Sequence, residues 1–149
     1  MTIIEGNILE AVESIIIHQV NCKNKMGSGL AKALYTKFPD VKARYHKYNE
    51  INHDHNLLGS VDIFKAFSRD YSEYKIIANC YYQDVYCYDG KLYTDYNAVD
   101  KCLTFLKENT KGDIAIPSNY GCGLGGGDWN IVSMLIKSIL GDRAVIYKM

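Results

Sequence analysis

Residues 118–129 have the sequence SNYGCGLGGGDW, which places five of the chain's twelve glycines in one turn. A short apolar segment ending in Pro117 precedes the turn, and apolar residues at helical spacing follow it. A glycine-rich turn between a strand and a helix leaves backbone N–H groups free and lets a ligand approach closely. The spacing matches neither the dinucleotide fingerprint nor the P-loop. Alone, the turn therefore indicates an anion site of no particular class.

A second glycine-containing turn lies upstream, where residues 21–31 have the sequence NCKNKMGSGLA. It leaves a β-branched apolar segment and enters a helical pattern. In an open α/β sheet, loops at the carboxyl ends of the strands line the ligand crevice. Two such turns at one edge can hold a diphosphate from both sides, where helix N-termini also favour negative charge. The chain has no GK[ST] triplet, which disfavours a P-loop hydrolase.

The rest of the chain alternates predicted strands with predicted helices. Strands are predicted at 2–5, 14–21, 61–67, 75–80, 113–117 and 143–148, and helices at 30–38, 39–48, 94–106 and 132–139. A hairpin turn is expected at 69–73 and a long loop at 82–93. Thr94 or Asp95 is expected to cap the third helix, and Gly141 to end the fourth. The pattern predicts one α/β domain over residues 1–149, a three-layer α/β/α sandwich with a mixed central sheet.

Composition narrows the class of protein. The chain carries 17 basic and 17 acidic residues, so no strong field draws it to nucleic acid or a membrane. No apolar segment approaches the roughly 18 residues of a membrane helix, and no secretory signal is visible. Five cysteines without a CxxC pair favour reduced thiols in the cytoplasm over disulfides or zinc. Neither a metal nor a cofactor is expected. The thirteen tyrosines either fill the core edge or stack on a flat ligand.

Four motifs run through the chain in a fixed order: GNIL at 6–9, IHQVNCKN at 17–24, MGSGLA at 26–31 and GCGL at 121–124. In order and spacing they resemble the macro domains, a family of ADP-ribose-binding modules, over almost the whole chain. The resemblance is strongest to small stand-alone members that include ADP-ribose 1''-phosphate phosphatases and terminal ADP-ribose protein glycohydrolases. It implies ADP-ribose or ADP-ribose 1''-phosphate as the ligand, and ADP-ribosylated protein as a further partner.

The resemblance also assigns residues to parts of the ligand. Asn7 and Ile8 would face the adenine, although most macro domains carry an aspartate in place of Asn7. An aromatic residue, Tyr120 or Tyr147, would flank the adenine, and Asn24 would reach the distal ribose. The two glycine turns would hold the diphosphate and the distal ribose, through Asn21, Gly27, Ser28, Gly29 and Leu30 in the first turn and Asn119, Tyr120, Gly121, Cys122, Gly123, Leu124 and Gly125 in the second.

Three residues are candidates for catalysis. His18 is either a hydrogen-bonded core histidine or an acid/base group beneath the first turn, where the resembling phosphatases also carry histidine. Asn24 cannot act as a base, but it can orient a water or hold ribose hydroxyls. Asp128 is either a helix N-cap or a carboxylate that activates water.

One departure from the resemblance bears on the mechanism. The glycohydrolases use a lysine near the end of the fourth predicted strand, where this chain has Tyr81, Tyr82 and Gln83, and an acid where it has Gly125. A covalent lysine mechanism is therefore disfavoured. The sequence predicts a hydrolase that removes the 1''-phosphate of an ADP-ribose derivative. The alternatives are a non-catalytic ADP-ribose-binding module and an ADP-ribosyl-protein hydrolase.

Overall fold

The computed structural model of the chain describes residues 1–27, 29–83, 94–118, 120 and 127–149. Several residues with a predicted ligand role lie outside this description. They are Ser28, Asn119, Gly121, Cys122, Gly123, Leu124 and Gly125.

One mixed sheet contains the strands of the described residues. They are β1 (Thr2–Glu5), β2 (Ile15–Asn21), β3 (Val61–Phe67), β4 (Tyr74–Gln83), β5 (Ile114–Pro117) and β6 (Ala144–Lys148). Their order across the sheet is β1-β6-β5-β2-β4-β3. Every pairing is parallel except that of β3 with β4, which form a hairpin. The mixed sheet with its single hairpin confirms the sequence prediction.

Helices cover both faces of this sheet. The α-helices are α1 (Gly29–Lys37), α2 (Asp40–Ile51), α3 (Tyr96–Asn109) and α4 (Trp129–Leu140), and short 3-10 turns span Ile8–Glu10 and Gly141–Arg143. Buried side chains of α1 and α2 pack on one face, and those of α3 and α4 pack on the other. This arrangement confirms the three-layer α/β/α sandwich. Among the described residues, no helix combines the length and apolarity needed to cross a bilayer.

The central strand β2 shows why its sequence is almost continuously apolar. Ile15 and Ile17 pack towards α3 and α4, whereas Ile16 packs towards α1. A parallel strand covered by helices on both faces buries successive side chains in both directions. His18 follows in the same alternation, so a polar side chain lies inside a buried strand.

Strand β4 extends further than the sequence predicted. It continues through Tyr81 and Tyr82 to Gln83, where the prediction ended the strand at Cys80 and began a loop at Tyr82. Both tyrosine side chains are fully buried. The tyrosines of this segment resembled a polar loop in sequence, but their rings fill the two core layers at the end of the strand.

The N-cap of α3 is Asp95, and Thr94 does not fill that position. The Asp95 carboxylate accepts a hydrogen bond from the backbone N–H of Ala98 at 2.9 Å. Thr94 instead forms an isolated antiparallel bridge with Gln83. The helix begins at Tyr96, so Asp95 has the extended backbone and the reach that an N-cap needs.

We predict that Gly141→Ala destabilises the fold by about 1–3 kcal/mol. Gly141 ends α4 with φ 56° and ψ −128°, a conformation open essentially to glycine. Its backbone N–H donates to the carbonyl of Lys137. Urea unfolding measures the change, with Gly27→Ala as the control, because Gly27 has no positive φ and no described atom within 4 Å of an added Cβ. Equal stabilities of the two variants would contradict the assignment.

Candidate functional site

The sheet order brings three loops to one edge. Strands β1, β6, β5 and β2 are adjacent and parallel, so their carboxyl ends lie together. The loops that follow β1, β5 and β2 begin at Gly6, Ser118 and Cys22. Strand spacing sets β1 and β2 about 14 Å apart. This edge is therefore wide enough for an extended ligand of dinucleotide type.

The side chain of Asn21 organises the loop after β2. Its Oδ1 accepts hydrogen bonds from the backbone N–H of Lys23 at 2.9 Å and from the hydroxyl of Tyr45 at 2.8 Å. Its Nδ2 donates to the carbonyl of Lys25 at 2.8 Å. Both ends of the Asn21 amide therefore take part in shaping the loop. The ligand contact that the resemblance assigns to Asn21 stays a prediction.

Tyr45 connects this loop to helix α2. Its ring is fully buried and stacks on Tyr81 with ring centroids 5.9 Å apart. Its hydroxyl oxygen lies 2.8 Å from the carbonyl of Asn21 and accepts from the backbone N–H of Lys25 at 3.0 Å. The loop conformation is thereby fixed by Tyr45, a core residue that lies 20 or more positions further along the chain than the loop residues it binds.

Among the described residues, no acidic side chain covers the N-terminus of α1. The helix starts at Gly29, whose φ of 60° favours glycine, and its first turn carries no acidic residue. No described atom lies within 4 Å of a Cβ added at Gly27 or Gly29. The resemblance also assigned Leu30 to the ligand. In the structure its half-buried side chain packs against the core on the α1 side of the sheet. The backbone at Gly27 and Gly29 can therefore approach a ligand, with the positive end of the helix behind it.

The N-terminus of α4 is already occupied by the protein. Asp128 is its N-cap and accepts a hydrogen bond from the backbone N–H of Asn130 at 2.9 Å. The backbone N–H of Asp128 in turn donates to the hydroxyl of Tyr96 at 2.9 Å. The capping interpretation of Asp128 is confirmed, and its carboxylate supplies the negative charge that the helix end favours.

Neither candidate aromatic residue offers an exposed ring at this edge. Tyr120 is 2% exposed and packs edge-on against Tyr82, with ring centroids 4.7 Å apart. Tyr147 is 5% exposed and donates its hydroxyl to the Glu13 carboxylate. Both rings belong to the core, so neither is free to flank an adenine in this conformation.

Asn7 and Ile8 form the turn after β1. The Asn7 side-chain oxygen accepts a hydrogen bond from the backbone N–H of Leu9 at 3.0 Å and caps the 3-10 turn. Ile8 is fully buried in the α1-side core. An amide oxygen has two lone pairs. Asn7 therefore retains one acceptor position, whereas Ile8 has only its backbone to offer.

His18 is a core histidine in the structure. It is 1% exposed and lies 2.6 Å from the Asn79 side-chain oxygen through Nε2, which must donate because that oxygen only accepts. Burial lowers the pKa of His18 from 6.5 to about 4, against a smaller raising effect of the Asn79 hydrogen bond. The imidazole is therefore neutral near pH 7. These contacts support the structural interpretation of His18.

Asn24 makes a contact that the sequence did not predict. Its backbone is left-handed with φ 57°, its side chain is exposed, and its Oδ1 lies 2.6 Å from Nδ1 of His46. His46 lies on α2, 22 residues away. No sequence motif links the two residues. Only the packing of α2 beside the loop after β2 brings them together.

An open pocket of about 570 Å³ lies between this loop and the end of α2. It is lined by Cys22, Lys23, Asn24, Asn49, Glu50, Asn52, His53, His55, Asn56 and Leu57. Most of these residues carry amide, imidazole or charged side chains. Asn24 lies in its wall.

The described residues contain no cluster of three or more potential metal ligands. Among the described cysteines, Cys80 and Cys102 are free thiols. At the end of β4, Gln83 is buried, and its Nε2 has no hydrogen-bond partner within the described part of the chain. Tyr81 and Tyr82 are also buried. No lysine lies among these three positions at the strand end.

Comparisons with known proteins agree with this geometry. The family model for the Macro domain matches residues 17–136. An uncharacterised 17.5 kDa protein of Enterobacteria phage T4, from the tk-vs intergenic region, is 28% identical over 91% of this chain and 86% of that protein. A protein of unknown function from Bacteroides thetaiotaomicron is 25% identical, with a TM-score of 0.80 over 98% of this chain and 95% of that one.

A third similarity is to Thermosipho africanus DarTG, whose structure was determined in complex with ADP-ribose. It has a TM-score of 0.77 and 21% identity, over 98% of this chain and 41% of that chain. This similarity concerns the fold. The family model, which matches most of the chain, shows that the chain belongs to the macro domain family, a family of ADP-ribose-binding modules.

The buried His18 makes stability depend on pH. Its folded pKa of about 4 lies below the ordinary 6.5, so the unfolded chain takes up the proton first as the pH falls. Stability is present above pH 6.5 and is lost towards pH 4. We expect a loss of about 2 kcal/mol between pH 7 and pH 5. Denaturant unfolding at both pH values measures it. His18→Gln retains a donor for Asn79 but does not titrate, and a pH slope as steep in this variant would contradict the assignment.

Removing the Tyr45 hydroxyl tests the anchor of the loop. We expect Tyr45→Phe to lower the free energy of unfolding by about 1–3 kcal/mol, because Asn21 and Lys25 lose their shared partner. Tyr48→Phe is the matched control, since Tyr48 lies one turn along α2 and also stacks on Tyr81. Urea unfolding of both variants gives the comparison. Equal effects would show that the hydroxyl of Tyr45 does not hold the loop.

Proposed function

We propose that the protein binds ADP-ribose across the carboxyl edge of its sheet and hydrolyses a derivative at the distal ribose, most specifically ADP-ribose 1''-phosphate. The observation that best supports this proposal is the row of three loops after β1, β5 and β2, with the N-terminus of α1 beside them. The T. africanus protein of the same fold, in complex with ADP-ribose, supports the choice of ligand.

The proposed orientation follows the loops. The adenine lies at the turn after β1, where Asn7 has an acceptor position left. The diphosphate lies over Gly27 and Gly29, whose backbone is open and next to the positive end of α1. The distal ribose lies at Asn24, the exposed amide of the loop. Because basic residues equal acidic ones overall, recognition depends on these local groups.

The proposed reaction is attack by water on the phosphorus atom of the 1''-phosphate. The phosphorus–oxygen bond to the ribose breaks, and ADP-ribose and inorganic phosphate are released. Asn24 orients the water or a ribose hydroxyl, and a carboxylate such as that of Asp128 is the candidate base. His18 supports the loop after β2 from the core beneath it. Free thiols at the buried Cys80 and Cys102 support a cytoplasmic setting for this activity.

A second candidate function is ADP-ribose binding without chemistry. The observation that favours it is the end of β4, where Tyr81, Tyr82 and Gln83 are all buried and provide no nucleophile. One carboxylate oxygen of Asp128 is also used in its helix cap. A module of this kind would bind ADP-ribose and leave the distal ribose intact.

We predict that the purified protein releases phosphate from ADP-ribose 1''-phosphate without added metal.

We also predict that Gly27→Glu weakens ADP-ribose binding by at least about 10-fold, since a carboxylate would face the diphosphate. Gly27→Gln is the matched control, because it adds nearly the same volume without charge at a position with open space. Calorimetry and a phosphate-release assay provide the two measurements.

The outcomes separate the candidate functions. Binding without phosphate release, and without release of ADP-ribose from ADP-ribosylated protein, would support the binding module. Release only from ADP-ribosylated protein would support the glycohydrolase alternative. Absence of ADP-ribose binding by the wild-type protein would contradict all three.

A further inference from the structure

The amide of Asn24 is the part of the loop that the Asn21 and Tyr45 hydrogen bonds do not hold. Those bonds fix the backbone at Lys23 and Lys25, on either side of it. Asn24 itself is exposed and left-handed, a conformation that asparagine tolerates. Its side chain would be free to rotate without a further contact. His46 supplies that contact.

We propose that His46 is a positioning residue that sets the orientation of the Asn24 amide and so determines which group the loop presents to the ligand. This inference rests on the proposed function, in which Asn24 contacts the distal ribose or its phosphate. His46 itself is not assigned a contact with the ligand.

The hydrogen-bond chemistry gives the direction of the contact. The Asn24 oxygen that faces Nδ1 of His46 at 2.6 Å can only accept a hydrogen bond. Nδ1 therefore carries the proton, in the neutral ring and in the charged ring alike. With its oxygen used in this way, Asn24 presents its NH2 group, which is a donor. The loop is thereby matched to an oxygen-rich acceptor, such as a ribose hydroxyl or a phosphate.

The position of His46 makes it suitable for this role. It lies within helix α2, and its ring packs against that of Tyr45 with centroids 5.3 Å apart. Tyr45 is the same buried residue that anchors the loop backbone through its hydroxyl. One turn of helix therefore fixes both the backbone of the loop and its exposed amide. His18, in contrast, is buried in β2 and hydrogen-bonded to the side chain of Asn79.

Two substitutions separate positioning from simple packing. His46→Phe keeps a ring against Tyr45 but removes the donor, whereas His46→Asn places an N–H donor close to the position of Nδ1 and removes the ring. We expect His46→Phe to weaken ADP-ribose binding by about 5- to 10-fold, the effect of one misdirected hydrogen bond. His46→Asn should remain within about 2-fold of the wild type. The reverse order, or no effect of either variant, would overturn the proposal.

A double-mutant cycle tests whether His46 acts through Asn24. In the Asn24→Ala background, His46→Phe should have no further effect on binding. Additive losses would contradict the proposal. Nitrogen-15 shifts of the His46 ring in the ligand-free protein provide an independent measurement, and we expect a protonated Nδ1. A neutral ring protonated only at Nε2 would overturn the proposal even if the wild-type protein bound no ADP-ribose, a result that would separately contradict the proposed function.

Discussion

The geometry of the carboxyl edge of the sheet, where the ligand is proposed to bind, depends on the hydroxyl of Tyr45. A loop between a strand and a helix has no regular hydrogen-bond ladder, so its backbone groups need other partners. Here the buried hydroxyl of Tyr45 contacts Asn21 and accepts a hydrogen bond from Lys25, and the Asn21 amide binds the backbone of Lys23 and Lys25. The Tyr45 ring is held by the core around Tyr81. Packing inside the domain thereby determines the geometry of a surface loop.

This anchoring has a functional consequence at the sheet edge. Gly27 and Gly29 follow the anchored segment, and their backbone reaches the open end of α1. The N-terminus of α4 carries its own carboxylate, that of its N-cap Asp128. The strand order adds the turn at Asn7 at the far side of the same edge. The result is an extended and asymmetric site, consistent with a ligand that has chemically different ends and a diphosphate between them.

The elements of the fold could be predicted from the sequence, because apolar periodicity is a local property. The β-branched strand β2 and the helix faces of α1 and α4 are examples. The exceptions depended on distant partners. The sequence predicted a loop at Tyr82 and Gln83, but the structure shows that both residues continue β4. Asn21 resembled a ligand residue, yet its partners lie in its own loop and on α2, and His46 had no signal in the sequence. Folding patterns are local, whereas the role of a polar side chain depends on what tertiary packing brings next to it.

The central claim is that ADP-ribose lies between the two glycine turns, and amide hydrogen–deuterium exchange with and without ADP-ribose tests it most directly. At saturating ADP-ribose, exchange should slow in residues 22–31 and in residues 118–128, since both turns would bind the diphosphate through backbone N–H groups. The hairpin between β3 and β4, which does not adjoin this edge, should be unchanged. Slowed exchange confined to other parts of the chain, or unchanged exchange in both turns, would contradict the account.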